Sequence, residues 1–130
     1  MVIDPILVAS TLSGTSGADN YGHTATYGTG GEMFTGAISF GAGYPTTMGA
    51  FQINYAGGGT DIAINKLDPD GTVLLWATYI GGSGNENPHS MFANNNNELY
   101  IYGSTNSLDY PTSGTAFQTT NSGGGDIVVT

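Results

Sequence analysis

Short apolar runs alternate along the chain with polar stretches rich in glycine, threonine, serine and asparagine. The clearest two runs lie within residues 61–84, where Ile62 and Ile64 alternate with polar neighbours and 73–80 is mostly β-branched, aromatic or leucine. The DPDG stretch at 68–71 supplies a turn-opening carboxylate, a proline with a preset φ and a glycine for the left-handed position. A period of two on both sides of such a turn predicts a β-hairpin.

Similar apolar runs occur on both sides of this hairpin. They predict further strands at residues 5–12, 22–27, 32–38, 89–93, 98–103 and 126–130. Two pairs of runs are separated by four residues that suit a tight turn, GTGG at 28–31 and NNNN at 94–97, since asparagine tolerates the left-handed region. No run has the period of a helix, so the sequence predicts an all-β protein.

Several blocks occur twice at a spacing of 66 residues. They are YPT at 44–46 and 110–112, AFQ at 50–52 and 116–118, and GGG at 57–59 and 123–125. Two glycine pairs, Gly14 with Gly81 and Gly17 with Gly84, are 67 apart, and the aspartates that open two strands, at 61 and 126, are 65 apart. Blocks in one order with single-residue slips indicate a duplicated unit. We expect a closing strand of a preceding unit at 1–17, a unit at 18–84 and an incomplete second unit at 85–130.

The composition narrows the class of partner. The 130 residues contain ten acidic side chains and one basic one, Lys66, for a net charge of -9. This charge argues against binding of nucleic acid or anionic membranes, which require clustered lysine and arginine. Cysteine is absent, and no apolar run is long enough to insert in a membrane. Scarce lysine with abundant glycine, threonine and asparagine is typical of extracellular or cell-surface proteins, which is the location we expect.

Four blocks together carry a family resemblance. They are ATYIGGSG at 77–84, DYPT at 109–112, GAFQ at 49–52 and DIAINKLDPDG at 61–71. In this order they resemble the bacterial SBBP repeat, a β-propeller repeat of large secreted and surface proteins. The chain departs from that pattern at 12–14 and 40–43. The resemblance implies four-stranded antiparallel propeller-type blades, about two repeats of 66 residues in permuted strand order.

No catalytic group of residues is predicted. The chain has no G-x-S-x-G motif, and its glycine runs are not followed by the lysine of a phosphate-binding loop. The histidines at 23 and 89 and the glutamates at 32 and 98 hold equivalent places in the two units, which favours structural roles. Calcium is the one cofactor considered, because oxygen ligands suit it. Its candidates, for which turn formation is the favoured explanation, are Asp19, Asp68, Asp70 and Glu86.

The aromatic residues fall into two groups. Phe51, Trp76, Tyr79 and Phe117 occupy repeated or apolar positions and are predicted to form the core between blades. Tyr44, Tyr55 and Tyr110 lie in the long connections at 39–60 and 104–125 and are candidates for a binding surface.

The sequence therefore favours a non-enzymatic extracellular structural or adhesive protein. It would assemble with flanking repeats or with copies of itself, as a ring or a filament, and could also contact surface glycans or proteins. The predicted assembly edges are Ile6 and Val8 at one end and Ile127 and Val129 at the other. The alternative is a carbohydrate-binding or carbohydrate-active propeller module, which two facing carboxylates about 5 to 10 Å apart beside exposed aromatic rings would favour.

Overall fold

The computed structural model describes residues 9–130, and these residues form seven β-strands and no helix. The strands are β1 (Asn20–Tyr27), β2 (Met33–Ser39), β3 (Asp61–Leu67), β4 (Leu74–Ile80), β5 (Glu86–Ala93), β6 (Leu99–Thr105) and β7 (Asp126–Val129). The predicted all-β class is confirmed. Within the described range, nothing resembles the long apolar helix that would be needed to cross a membrane. Of the strand predicted at 5–12, residues 5–8 lie outside the described residues, and residues 9–12 form no strand within the chain, so this part of the prediction is wrong.

The strands form two sheets in chain order. The first sheet has the order β1-β2-β3-β4 and the second the order β5-β6-β7. Every neighbouring pair is antiparallel. The first sheet lies within residues 18–84 and the second within 85–130. The antiparallel pairing is as predicted, whereas the arrangement of these sheets as propeller blades stays a prediction.

The hairpins β1–β2 and β5–β6 have the same register. The first pairs Tyr27 with Met33 next to its turn, and the second pairs Ala93 with Leu99, each residue 66 positions later. An irregularity interrupts each ladder at an equivalent place, between residues 22 and 24 and between residues 88 and 90. Asn97 has a φ of 60°, at the position where the first turn has a left-handed glycine. The prediction that asparagine could take this conformation is confirmed.

The turn between β3 and β4 forms as its residues predict. Gly71 has a φ of 68°, and its N–H donates to the carbonyl of Asp68 at 3.0 Å. The Asp68 carboxylate accepts the N–H groups of Val73 at 2.9 Å and Thr72 at 2.7 Å. These bonds, that from Val73 foremost, lower the pKa of Asp68. The carboxylate therefore closes the turn.

The two sheets pack face to face around one apolar core. We call face A of the first sheet the side that carries Phe34, Ile62 and Ile64, and face B the opposite side. In this core, Met91 and Ile101 of the second sheet contact face A. The sheets approach closely at Gly36, where a Cβ would lie 3.0 Å from the Met91 sulfur. Tyr79 and Trp76 were both predicted to be core residues. Trp76 packs against this core, as predicted, whereas Tyr79 is buried on face B of the first sheet and not between the two sheets.

Face B of the first sheet leaves Ala25 of β1 exposed, but over β3 and β4 it is covered by the connection between β2 and β3. Tyr44 is buried there against Tyr79, whose hydroxyl accepts the Tyr44 N–H at 2.8 Å. The Tyr44 hydroxyl accepts the Asn65 amide at 3.1 Å, and burial raises the pKa of this tyrosine. Tyr44 therefore belongs to the core and presents no binding surface. The opposite correction applies to Phe51 and Phe117, which were predicted to be core residues and are exposed.

Candidate assembly site

The outward side of the second sheet is an exposed apolar surface. The strands β5, β6 and β7 pair in the same register as β1, β2 and β3, so the equivalent side of the second sheet is also called face A. This face carries five large side chains that are 45 to 71% exposed: Phe92, Tyr100, Tyr102, Ile127 and Val129. Three of the equivalent positions in the first sheet are Phe34, Ile62 and Ile64, which are at most 1% exposed. The side of the sheet that forms the core in the first unit is thus open to solvent in the second.

The edge of β7 is open as well. Both the N–H and the C=O of Thr130 bond to Ile101, at 2.9 and 2.7 Å. Because alternate residues of an antiparallel strand bond to opposite sides, the backbone groups of Ile127 and Val129 point away from β6. Because β7 is the last strand of this sheet, no described strand lies on the side to which these groups point. Of the predicted assembly edges, Ile127 and Val129 therefore lie on an open strand edge, and Ile6 and Val8 lie outside the described residues.

The long connections of the two units have the same pattern of hydrogen bonds. In the first, the side-chain amide of Gln52 donates to the Asn54 carbonyl at 3.0 Å and to Asp61 at 3.3 Å. In the second, Gln118 donates to the Thr120 carbonyl at 2.8 Å and to Asp126 at 3.3 Å. The N–H groups of residues 56 and 122 donate to the same two aspartates, each at 2.7 Å. The two connections therefore have the same local conformation.

The first connection uses this conformation to hold β4. The Gln52 carbonyl accepts the Tyr79 N–H at 3.0 Å, and its Oε1 accepts the Gly81 N–H at 3.1 Å. The Gln52 N–H also donates to the Thr78 hydroxyl at 3.0 Å. Gln118 makes none of the equivalent bonds to described residues. In place of a fourth strand, the second unit has a cavity of about 570 Å³, lined by Tyr110, Gln118, Asn121, Val128 and neighbouring residues.

Two carboxylates lie close together where β4 leads into β5. Asp61 and Glu86 are both fully buried. Oxygens of both side chains lie within 2.8 Å of the position that a Cβ at Gly81 would take. Glu86 accepts the hydroxyls of Thr105 and Ser107 and the N–H of Gly82. Since solvent reaches neither carboxylate, this pair cannot meet a sugar as the carbohydrate-active alternative requires.

Burial strongly affects the chemistry of Asp61. Its Oδ2 accepts two hydrogen bonds, whereas its Oδ1 is buried with no hydrogen-bond partner among the described residues. Desolvation by burial, with a smaller contribution from the negative charge of Glu86, raises the pKa of Asp61 to about 6. The group therefore titrates near neutral pH from inside the protein, which indicates a structural role with a pH dependence.

The candidate calcium ligands do not come together. Asp68 closes its turn, Glu86 is buried among hydroxyl groups, and Asp19 and Asp70 are exposed at separate places. Residues 9–130 contain no cluster of three or more histidine, aspartate or glutamate side chains that could hold a metal. His89 lies against the Tyr102 ring, with its Nε2 3.1 Å from the Ser104 hydroxyl.

The remaining two tyrosines proposed as a binding surface are partly exposed and lie apart. The Tyr55 hydroxyl donates to the Gly58 carbonyl at 3.2 Å, in the first unit. The Tyr110 hydroxyl lies 2.7 Å from the Thr130 hydroxyl, in the second unit, and burial raises the pKa of Tyr110. The exposed row on face A of the second sheet was missed from the sequence. Its signal was the alternation in ELYIYG, which places Tyr100 and Tyr102 on one side of β6.

Comparisons with protein-family models, with curated proteins and with solved structures gave no match for this chain. The open face, the open edge and the cavity beside it are therefore interpreted from their own geometry.

Proposed function

We propose that this chain is a non-enzymatic structural protein whose sheets act as propeller-type blades and stack from one copy to the next. Face A of the second sheet in one copy packs on face B of the first sheet in another, as face A of the first sheet packs on the second sheet within the chain. Such a head-to-tail contact is heterologous, so it produces a closed ring or an open filament. The scarcity of lysine is the reason to place this assembly outside the cell or on its surface.

The observation that carries the proposal is a size match between face A of the second sheet and the exposed part of face B on β1 of the first sheet. Within the chain, the small Gly36 of face A meets the large Met91. At the proposed junction the equivalent positions are Tyr102 on face A and Ala25 on face B. The large residue is therefore on face A there, and the small one on face B. Face B offers space for the ring, since a cavity of about 490 Å³ lies there, lined by Ala25, Thr35 and neighbouring residues that include Tyr44 and Leu67. Complementary sizes of this kind are what close packing requires.

The size match can be tested by exchanging the large and the small residue between the two faces. We expect wild-type protein to sediment at multiples of 13.3 kDa as its concentration rises. Ala25→Met should block assembly, because the side chain fills the space for Tyr102, and Tyr102→Gly should weaken it. The double variant Ala25→Met/Tyr102→Gly repeats the internal pair of Gly36 and Met91 and should restore assembly. Wild-type protein that stays monomeric, or a double variant that assembles no better than Ala25→Met, would overturn the proposal.

Electron microscopy of the assembled protein separates a ring from a filament. The exposed rings of face A also favour one alternative, in which Tyr100 and Tyr102 stack on sugars as a carbohydrate-binding surface. Titration of the monomeric Ala25→Met variant with oligosaccharides tests it, because this variant keeps face A of the second sheet open. Saturable quenching of tyrosine fluorescence that Tyr102→Gly removes would support the alternative.

A further inference from the structure

The cavity in the second unit lies where the first unit has its fourth strand. In the first unit, Gln52 bonds to Thr78, Tyr79 and Gly81 of β4 and its exit. In the second unit, Gln118 has the same conformation beside an open cavity of about 570 Å³. The cavity is also bordered by Val128 and Val129 of β7, the strand with the open edge. It thus has the backbone edge, the glutamine and the space that a strand like β4 requires.

We propose that this cavity is a strand-acceptor site, and that its occupant is the segment 9–13 of a second copy of the chain. This inference rests on the proposed function and specifies how two copies are joined. At the spacing of 67 set by the glycines, Thr11 takes the position of Thr78 and Leu12 that of Tyr79. Leu12 is 100% exposed in its own chain, whereas Tyr79 is 1% exposed in the first unit. Addition of an extended segment to an open sheet edge is a common mode of recognition.

The occupant comes from a second copy because its own chain holds this segment elsewhere. The Ser13 hydroxyl accepts the Asn65 amide at 2.8 Å, on face B of the first sheet. The second sheet, which carries the cavity, lies against face A, on the other side. At the other end of the segment, a Cβ at Gly71 would lie 3.1 Å from the Ala9 Cβ. Residues 9–13 therefore follow face B, away from their own cavity, on the side where the proposed junction brings the preceding copy.

The glycine runs provide an independent indication. Gly58 has a φ of 65°, and a Cβ there would lie 1.7 Å from the carbonyl oxygen of Gly84, just beyond β4. Gly124 occupies the equivalent place with a φ of 70°, and no described atom lies within 4 Å of its Cβ position. The close approach present at Gly58 is thus missing at Gly124. It is supplied when Gly17 of a second copy, the equivalent of Gly84, passes beside Gly124.

Disulfide trapping tests the register directly. The pair Ile64 and Thr78 in the first unit corresponds to Val129 and Thr11 of another copy. Cα atoms of such a pair lie about 5.5 Å apart, within the range of a disulfide. The chain has no cysteine, so introduced thiols react only with each other. Mixing Thr11→Cys protein with mass-tagged Val129→Cys protein should give the heterodimer, whereas Ser10→Cys with Val129→Cys should not, because neighbouring side chains point to opposite faces.

The outcomes separate this inference from the proposed function. Protein that self-associates but gives no Thr11–Val129 heterodimer, or equal amounts from both mixtures, overturns the strand-acceptor site and leaves stacking in place. Protein that neither self-associates nor cross-links overturns both.

A glycine pair supplies the second test. Gly123 and Gly124 both have a positive φ and open space around them, so alanine at either should lower the Tm of the monomer by a similar amount, about 5 °C. Only Gly124→Ala should also abolish assembly. Its equivalent in the first unit, Gly58, has no room for a Cβ beside Gly84, whereas a Cβ at Gly57, the equivalent of Gly123, meets nothing closer than 3.9 Å. Equal assembly by the two variants would overturn the strand-acceptor site.

Discussion

Replacement of Asp61 by asparagine should make the protein more stable at neutral pH and remove one source of its pH dependence. Asp61 is fully buried, its Oδ1 has no partner among the described residues, and its pKa is raised to about 6. In the unfolded chain the pKa returns to about 3.9. The folded state therefore binds this proton more tightly. The stability that the protonated form contributes is fully present below about pH 4 and is lost as the pH rises to about 6.

The size of the effect follows from the shift in pKa. A rise of about two units corresponds to about 3 kcal/mol at most between the two ends of this pH range. Asparagine matches the shape of protonated aspartate and keeps an oxygen for the N–H of Ala56. Its amide can also donate towards the Glu86 oxygen that lies close by. We expect the variant to equal wild type near pH 3.5 and to exceed it by about 2 to 3 kcal/mol at pH 7.

Urea unfolding of dilute protein at a series of pH values measures this difference. The matched control is Asp126→Asn, because Asp126 accepts the equivalent bonds from Gln118 and Ser122 but is partly exposed. We expect the control to gain much less. A stability difference between wild type and Asp61→Asn that stays constant from pH 3.5 to 7.5 would refute the role given to burial at this position.

Four further outcomes are expected. Gly71→Val should lower the free energy of unfolding by about 2 kcal/mol, because a β-branched residue would have to take a φ of 68°; a denaturant midpoint equal to that of wild type would contradict this. Met91→Ala should cost about 2 to 5 kcal/mol in the same assay, since it opens the core between the sheets, whereas Met48→Ala at an exposed site should cost little. EDTA should leave the Tm unchanged if the acidic turns bind no calcium; a drop that calcium reverses would show a metal site. Added salt should raise the assembled fraction, because each copy carries a net charge of -9; dissociation by salt would show that assembly depends on ion pairs.

The strands and turns could be predicted because their signals are local. The alternation of apolar residues in β3, the DPDG turn and the left-handed Asn97 each depend on a few neighbouring residues. Ile127 and Val129 lie on the last strand of the second sheet. That this edge pairs with another copy stays a prediction.

The positions of the aromatic side chains could not be predicted in the same way. Tyr44 and Phe51 lie in the same connection, yet one is buried and the other exposed. What buries Tyr44 is contact with Asn65 and Tyr79, which are 21 and 35 residues away along the chain. The exposed face A of the second sheet depends on which side of that sheet meets the first. The cavity beside β7 is lined by residues from 105 to 129, and this arrangement does not follow from any local pattern in the sequence.

Amide hydrogen exchange at Ile127 and Val129 tests the proposed assembly most directly. These two N–H groups point to the open edge of β7, so they should exchange rapidly in dilute protein. At concentrations where the chain assembles, a strand from another copy should pair with them and slow their exchange. The N–H of Thr130, which bonds to Ile101 within the chain, serves as the internal reference. Exchange at Ile127 and Val129 that is equally fast at all concentrations while the protein assembles, or equally slow in the monomer, would contradict pairing between copies.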